Sequence, residues 1–149
     1  IFAKMNSLED PRIIDKLYEA SQAGVRVQLL VRGICVLVPG LPGLSETITV
    51  KSVVGRFLEH TRIFCFNNNA DFRIFLSSAD WMSRNFDRRI ELLFEIQQQD
   101  IKEHLKGILE TYWKDNQKAR VLLPQRTYIF PKGTDEKWHA QDILMTRYV

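Results

Sequence analysis

The fold is decided by the stretch from Asp10 to Arg32, DPRIIDKLYEASQAGVRVQLLVR. Asp10 before Pro11 reads as a helix start, the carboxylate capping free backbone N–H groups and the proline sitting in the first turn where its missing N–H costs nothing. Ile13, Ile14, Leu17 and Tyr18 then recur at helical spacing, and Gly24 closes the helix as a residue able to adopt a left-handed conformation. From Val25 to Arg32 the period changes to two. Val25, Val27, Leu29 and Val31 share one face, while Arg26, Gln28, Leu30 and Arg32 share the other, which predicts a strand. Ile1-Phe2-Ala3 upstream also reads as strand, so strand, helix and strand follow within about 30 residues, the signature of a βαβ unit with a parallel sheet. The expected fold class is α/β.

The rest of the chain extends this pattern. Pro39-Gly40-Leu41-Pro42-Gly43 is a loop, Thr47 to Val54 a β-branched strand, and Gly55 to His60 a short helical turn. Arg62–Phe66 and Phe72–Ser77 form a hairpin about Asn67-Asn68-Asn69. Arg89 to Ile96 alternates, which puts Ile90, Leu92, Phe94 and Ile96 inward. Ile101, Leu105, Ile108, Leu109 and Tyr112 define an amphipathic helix. Ala119–Leu123 is extended, Lys137–Tyr148 is a terminal helix, and 116–118 and 132–135 are polar connectors within a single domain spanning 1–149.

Composition bounds the possibilities. The chain has 149 residues, 45% of them hydrophobic and 26% charged, with a formal net charge of +3. That is globular, not disordered or fibrous, and long enough to bury about 70% of the unfolded surface. The excess of cations is mild and suits anion handling only where arginines cluster. Cys35 and Cys65 lie within apolar runs and read as buried free thiols of a reducing compartment. No apolar run approaches a membrane span and no signal peptide opens the chain, so the expected location is cytoplasmic. The start at Ile1 reads as a piece of a longer protein.

Chemistry concentrates between Gly55 and Glu91. His60 and Arg62, two apart at the head of a strand, fall on one face. Arg62 stays charged and can fork onto phosphoryl oxygens, and His60 can exchange a proton near neutral pH. Together they would hold a phosphoryl group and protonate the oxygen leaving it. Ser77, Ser78 and Asp80 either cap a helix starting near Trp81 or present N–H groups to an anion. Glu91 either pairs with Arg89 or orients the histidine. Arg84, Arg88 and Arg89 are surface charge or an anion site. Arg32 leaves its strand at the carboxyl end, where ligands of α/β sheets sit, and is an anion contact or a rim salt bridge. Lys4 and Asn6 raise the same alternatives. His104 and His139 have no ligand-like neighbours, no zinc pattern occurs, and both common glycine-rich phosphate cradles are missing. Trp81, Trp113 and Trp138 read as packing anchors.

Several runs are recognisable together. Lys4-Met5-Asn6-Ser7-Leu8, Leu17 through Val25, Val31-Arg32-Gly33-Ile34-Cys35, Pro39-Gly40 through Ser45-Glu46, Gly55-Arg56-Phe57-Leu58-Glu59-His60 and Ser78-Ala79-Asp80-Trp81-Met82 through Arg84-Asn85 resemble the C-terminal part of the bacterial-type polyphosphate kinase 1 family, from the first residues to near the end. The resemblance implies a phospholipase D-like mixed β-sheet flanked by helices. It also implies reversible transfer of the terminal phosphate of ATP to inorganic polyphosphate, through a phosphohistidine held in a preceding domain. Partners follow from it: ATP and ADP, polyphosphate, the remaining domains of the same enzyme, and further copies in a homo-oligomer, with no membrane span and no specific nucleic acid. Mg²⁺ belongs to the full-length enzyme and is not expected on this chain alone, so no residue here is assigned to metal.

By the same resemblance His60 matches a histidine active in proton transfer, and Arg32 matches an arginine at the nucleotide phosphates. Ser78, Asp80, Arg84 and Arg89 are expected near substrate phosphate, supported by Glu91, Lys4 and Asn6. His60-x-Arg62, Ser78-x-Asp80 and Glu91 are similar to the phospholipase D pattern, but Arg62 replaces its lysine, Asp80 its frequent asparagine, and its downstream aspartate has no match in Asn67-Asn68-Asn69. The chain is thus expected to hold half an active site and to be inactive alone. The alternatives are a non-catalytic polyanion-binding or structural module, and a phospholipase D-like phosphodiesterase acting as a dimer.

Overall fold

The structure, a computed structural model, describes residues 1–68, 71–131 and 136–148, without the side chains of 68 and 148. Among the described residues it has eight strands and four helices. They are β1 (Phe2–Met5), α1 (Pro11–Gln22), β2 (Val27–Val31), β3 (Ile48–Val53), β4 (Ile63–Asn68), β5 (Asp71–Ser77), α2 (Ser83–Arg88), β6 (Leu93–Ile96), α3 (Gln99–Lys114), β7 (Ala119–Leu122), β8 (Tyr128–Ile129) and α4 (Ala140–Tyr148). The strands form one mixed sheet in the order β6-β5-β4-β1-β2-β3-β7-β8. β1, β2 and β3 run parallel, and the remaining pairs are antiparallel.

The opening βαβ unit forms as its local signals require. Asp10 is the N-cap of α1, and its Oδ1 accepts from the backbone N–H of Arg12 at 3.0 Å and of Ile13 at 3.3 Å. Gly24 leaves the helix at φ +81°, a conformation that costs a side-chain-bearing residue about 1 kcal/mol or more. Strand alternation then feeds two cores. Ala3, Met5, Val27, Leu29, Val31 and Phe64 pack on the α1 side. Leu30, Ile63 and Cys65 pack on the other side with Leu105, Leu109 and Tyr112 of α3 and Ala140 of α4. Trp81 stacks on Phe64 at 4.7 Å between centroids, and Trp113 meets Phe2 edge-on at 5.5 Å.

A buried carboxylate joins the last helix to this frame. Asp115, 1% exposed, accepts at Oδ1 from the N–H groups of Gln117, Lys118 and Ala119, and at Oδ2 from that of Ala140. One side chain therefore turns the chain from α3 into β7 and fixes the first residue of α4.

Three expectations are corrected. Gly55 to His60 is irregular, not a helical turn, because its backbone bonds go to a side chain far along the chain. Arg89 to Ile96 is strand only from Leu93. Ile90 and Leu92 are exposed, as is Phe94, because no layer covers that edge of the sheet. β8 has no strand signal in its sequence. It follows a tight turn in which Arg126 takes φ 62°. Asn67 and Asn68 extend β4, while Asn69 and the 132–135 connector lie outside the described residues. Cys65 is buried and Cys35 half-buried, both free.

Candidate functional site

The topology brings the candidate residues to one edge of the sheet. β1, β2 and β3 are parallel, so Lys4, Asn6, Arg32 and the 54–60 segment emerge from their carboxyl ends. β4 runs against β1, so its leading residues His60 and Arg62 start at that same edge. β5 reverses again and delivers Ser77 to Asp80 there. Residues far apart in sequence thus meet where α/β sheets present ligand sites.

Arg62 is the centre of the cluster. Its Nε donates to Asp80 Oδ1 at 3.2 Å and its Nη2 to Asp80 Oδ2 at 3.1 Å, a bidentate grip. Its Nη1 donates to the His60 carbonyl at 2.9 Å and lies 3.3 Å from His60 Nδ1. A guanidinium has only donors, so this contact requires Nδ1 to be the acceptor and puts the ring proton on Nε2. The His60 ring is exposed, and this contact selects the Nε2–H tautomer for its neutral form.

Asp80 is 5% exposed. Burial alone would raise its pKa. The Arg62 fork, together with hydrogen bonds from the Asn6 and Ser7 backbones, outweighs that and holds it below the ordinary carboxylate value. The Asn6 N–H donates to it at 2.7 Å. An ionised carboxylate so engaged repels phosphate. The Asp80 carboxylate is engaged by Arg62, Asn6 and Ser7, and it does not cap α2, whose N-cap is Met82 with no side-chain cap bond. Likewise the fork of Arg62 is occupied by Asp80 and is not open to a phosphoryl group.

Ser78 and Glu91 form a separate group. The Ser78 hydroxyl and the Asn85 amide both donate to Glu91, and the Leu92 N–H donates to Ser78 Oγ at 2.9 Å. The bonds from Ser78 and Asn85 hold the Glu91 carboxyl below its usual value. Ser78 is thus spent on Glu91, and the alternative in which the histidine donates to Glu91 is not formed among the described residues. Glu91 and Arg89 instead flank an apolar groove of about 430 Å³ floored by Phe64, Phe66, Phe75 and Trp81, which sequence reasoning did not anticipate. Arg84 and Arg88 are exposed on α2.

On the α3 side of the edge, Lys4 is 6% exposed. Its Nζ lies 3.5 Å from Glu59 Oε2 and 5.0 Å from the Tyr112 ring centre, and donates to the Thr61 carbonyl at 3.4 Å. Burial lowers its pKa, Glu59 opposes that, and Arg32 and Arg62 add to it. Burial and then the Glu59 carboxylate push the Tyr112 hydroxyl well up. Arg32 lines a small cavity with Lys4, Glu59 and Tyr112, and its Nε is buried with no hydrogen-bond partner among the described residues. Lys4, Arg32 and Arg62 face Glu59 and Asp80, which leaves one cation in excess. The cavity beside Arg32 is only about 10 Å³, room for about one water at the enclosed Nε.

A scan against family descriptions matches residues 1–141 to "Polyphosphate kinase C-terminal domain 2". The chain belongs to this polyphosphate kinase family. The chain is 48% identical over 149 residues to the polyphosphate kinase of Pseudomonas aeruginosa, covering 99% of this chain and 22% of that protein. It is 60% identical over 144 residues to that of Halalkalibacterium halodurans, covering 97% and 20%. The crystal structure of polyphosphate kinase from Porphyromonas gingivalis superposes with a TM-score of 0.94 at 40% identity, over 98% of this chain and 22% of that one. The α/β architecture is therefore that of polyphosphate kinase, and the chain spans about a fifth of the length of the relatives it matches. No helix among the described residues is long and apolar enough to cross a membrane.

Sequence reasoning named His60, Arg62, Arg32, Lys4 and Asn6 as separate candidates, and the structure brings them to one edge. It passed over Glu59 and Gln141. The signal for the first lay in the Gly55-to-His60 motif, while Gln141 carries none that is visible without the fold.

Proposed function

We propose that this chain supplies one wall of the phosphoryl-transfer site of a polyphosphate kinase, which moves the terminal phosphate of ATP reversibly onto inorganic polyphosphate. In this reading His60 is the proton donor and acceptor. As the imidazolium the ring gives its Nε2 proton to the phosphoryl oxygen that departs and becomes neutral, and the neutral ring takes the proton back at Nε2 in the reverse direction. Arg62 holds the segment at the His60 carbonyl and meets the neutral ring at Nδ1, and Asp80 holds Arg62. The guanidinium of Arg32, backed by the Lys4 charge, takes phosphate oxygens of the nucleotide or polymer and stabilises the charge that builds on them. The covalent phosphohistidine step belongs to another part of the polypeptide.

Mg²⁺ fits poorly on these residues. No group of three or more histidine, cysteine, aspartate or glutamate side chains among the described residues can hold a metal ion. Glu59 is engaged by Lys4, and Asp80 by Arg62. No step is derived through the ion, which commonly rides on substrate phosphates.

The observation that carries the proposal is the exposed imidazole set against Arg62 at Nδ1, on the same sheet edge as the guanidinium of Arg32. The test is polymer synthesis from labelled ATP by the full-length enzyme with His60→Ala and Arg32→Ala. Loss of the histidine should lower kcat by about 10²–10⁴-fold, and loss of the arginine should act mainly on KM for ATP. Unchanged synthesis with His60→Ala refutes it.

A further inference from the structure

The segment that ends in His60 has little packing to hold it. Val54, Phe57 and Leu58 are all exposed, and residues 54–60 form neither helix nor strand. Yet its backbone is fastened, and the fastener is a side chain 84 residues away. Gln141, 3% exposed at the start of α4, accepts at Oε1 from the Phe57 N–H at 3.0 Å. Its Nε2 donates to the Phe57 carbonyl at 2.9 Å and to Glu59 Oε1 at 2.8 Å. The amide thus pairs with Phe57 as a neighbouring strand would, and its remaining donor takes the carboxylate next to His60. The other carboxylate oxygen faces Lys4.

A second, independent observation concerns Gly55. Its φ is not positive, so backbone freedom does not explain the glycine. A Cβ there would run into the Gln141 amide, with Cδ only 2.8 Å away. Gly55 is bare because Gln141 lies flat against it. The Gly55-to-His60 motif therefore has one connected explanation. Gly55 admits the amide, Phe57 and Glu59 bind it, and His60 emerges from the clamped end. Asp115 fixes the base of the clamp by holding the N–H of Ala140, the residue before Gln141.

We infer that Gln141 is a positioning residue for the phosphoryl-transfer reaction, setting where His60 stands by clamping residues 55–59 to the start of α4. The inference rests on the proposed role of His60. A displacement of about 1 Å at a reacting group costs about 100-fold in rate, so a polar clamp on an otherwise loose segment has a large lever.

The experiment uses the full-length enzyme with Gln141→Leu, Gln141→Glu, Gly55→Ala, the double variant Gly55→Ala/Gln141→Ala with its Gln141→Ala parent, and His60→Ala. Gln141→Leu removes every bond of the clamp. Gln141→Glu keeps an acceptor for the Phe57 N–H, serves if the leucine variant fails to fold, and loses the donor to Phe57 and Glu59. Either should lower kcat about 10- to 100-fold while KM for ATP stays within about threefold. Either should also speed hydrogen exchange at residues 56–60 by at least about tenfold, leaving the strands unchanged. Gly55→Ala should lower kcat when Gln141 is present and add nothing in the Gln141→Ala background, because the clash needs the amide.

Wild-type kcat in the folded Gln141 variants, unchanged exchange at 56–60, or additive effects of the Gly55 and Gln141 changes overturns the assignment of Gln141 while His60→Ala is inactive. A fully active His60→Ala instead removes the role proposed for His60, and the role of Gln141 falls with it.

Discussion

Arg62 touches His60 and Asp80 with different edges of one guanidinium: Nε and Nη2 grip the carboxylate, and Nη1 reaches both the carbonyl and Nδ1 of the histidine. A single ammonium cannot span both partners. Arg62→Lys keeps the charge but must abandon one edge. In the full-length enzyme it should lower kcat about 10- to 100-fold, by loosening the ring, with a smaller change in KM for ATP. Steady-state synthesis assays check this. A lysine variant as fast as the parent would show that the fork does not orient the imidazole.

The same fork has a consequence for acid stability. Asp80 and Asp10 are both held below the ordinary carboxylate value. For Asp80 the bonds from Arg62, Asn6 and Ser7 override burial. For Asp10 the Arg12 bond dominates and brings it from 3.8 to about 2. At neutral pH both carboxylates are ionised in folded and unfolded chains alike, and their stabilisation is complete. As pH falls below about 4 the unfolded chain takes up protons first, so stability declines, and the Asp10 contribution is gone once the folded group protonates near 2. Urea midpoints of the chain should therefore fall between pH 5 and pH 2.5. Asp80→Asn should cost about 1–3 kcal/mol at pH 7, since it takes the carboxylate away from the half-buried Arg62 guanidinium. Asp10→Ala should cost about 1 kcal/mol through the lost cap. Each variant should have a flatter acid limb than the parent, and a parallel limb contradicts the assignment.

These two carboxylates also mark how far sequence reading reaches. Asp10 was legible as a cap because Pro11 and the Ile13-to-Tyr18 spacing are local, and the βαβ unit followed from it. Asp80 was legible only as a candidate, because its partners Asn6 and Arg62 approach from other strands. The alternation from Arg89 to Ile96 misled, since period two says which residues share a face but not whether a layer covers it. The Gly55-to-His60 segment misled for a related reason. Its backbone partners are the amide of Gln141, and no local pattern encodes a contact 84 residues away. What was legible of the site was residue type at the carboxyl ends of strands. What was not was which donors are already spent, and so Arg62 and Ser78 looked open when Asp80 and Glu91 occupy them.

Asp115 offers a test of how α4 is attached. Its carboxylate satisfies the N–H groups of Gln117, Lys118, Ala119 and Ala140, and Asp115→Ala leaves buried donors unmatched at about 1–3 kcal/mol each where water cannot reach. A loss of about 3 kcal/mol in denaturant unfolding is expected. Hydrogen exchange should quicken along α4 and β7 before β1 and β2, whose bonds do not depend on this residue. Uniform loosening of all strands would show that Asp115 is not a local tie.

The sharpest functional test asks what the chain does by itself. His60, Arg32 and Lys4 lie on one sheet edge, and in the proposed function the covalent phosphohistidine step lies outside these residues. Phosphoryl transfer gains its speed from holding donor and acceptor oxygens in line, worth about 7–11 kcal/mol when two reacting parts are pre-positioned. The 149-residue chain alone should therefore make labelled polyphosphate from ATP at no detectable rate. It should still bind inorganic polyphosphate weakly, through the cation excess at Arg32 and Lys4. Salt should weaken that binding, because its source is charge, and Arg32→Ala should weaken it further. Calorimetry with the purified chain at two ionic strengths reads both effects. Full-length turnover by the chain alone would mean that a complete site is present in these residues and that the half-site reading is wrong.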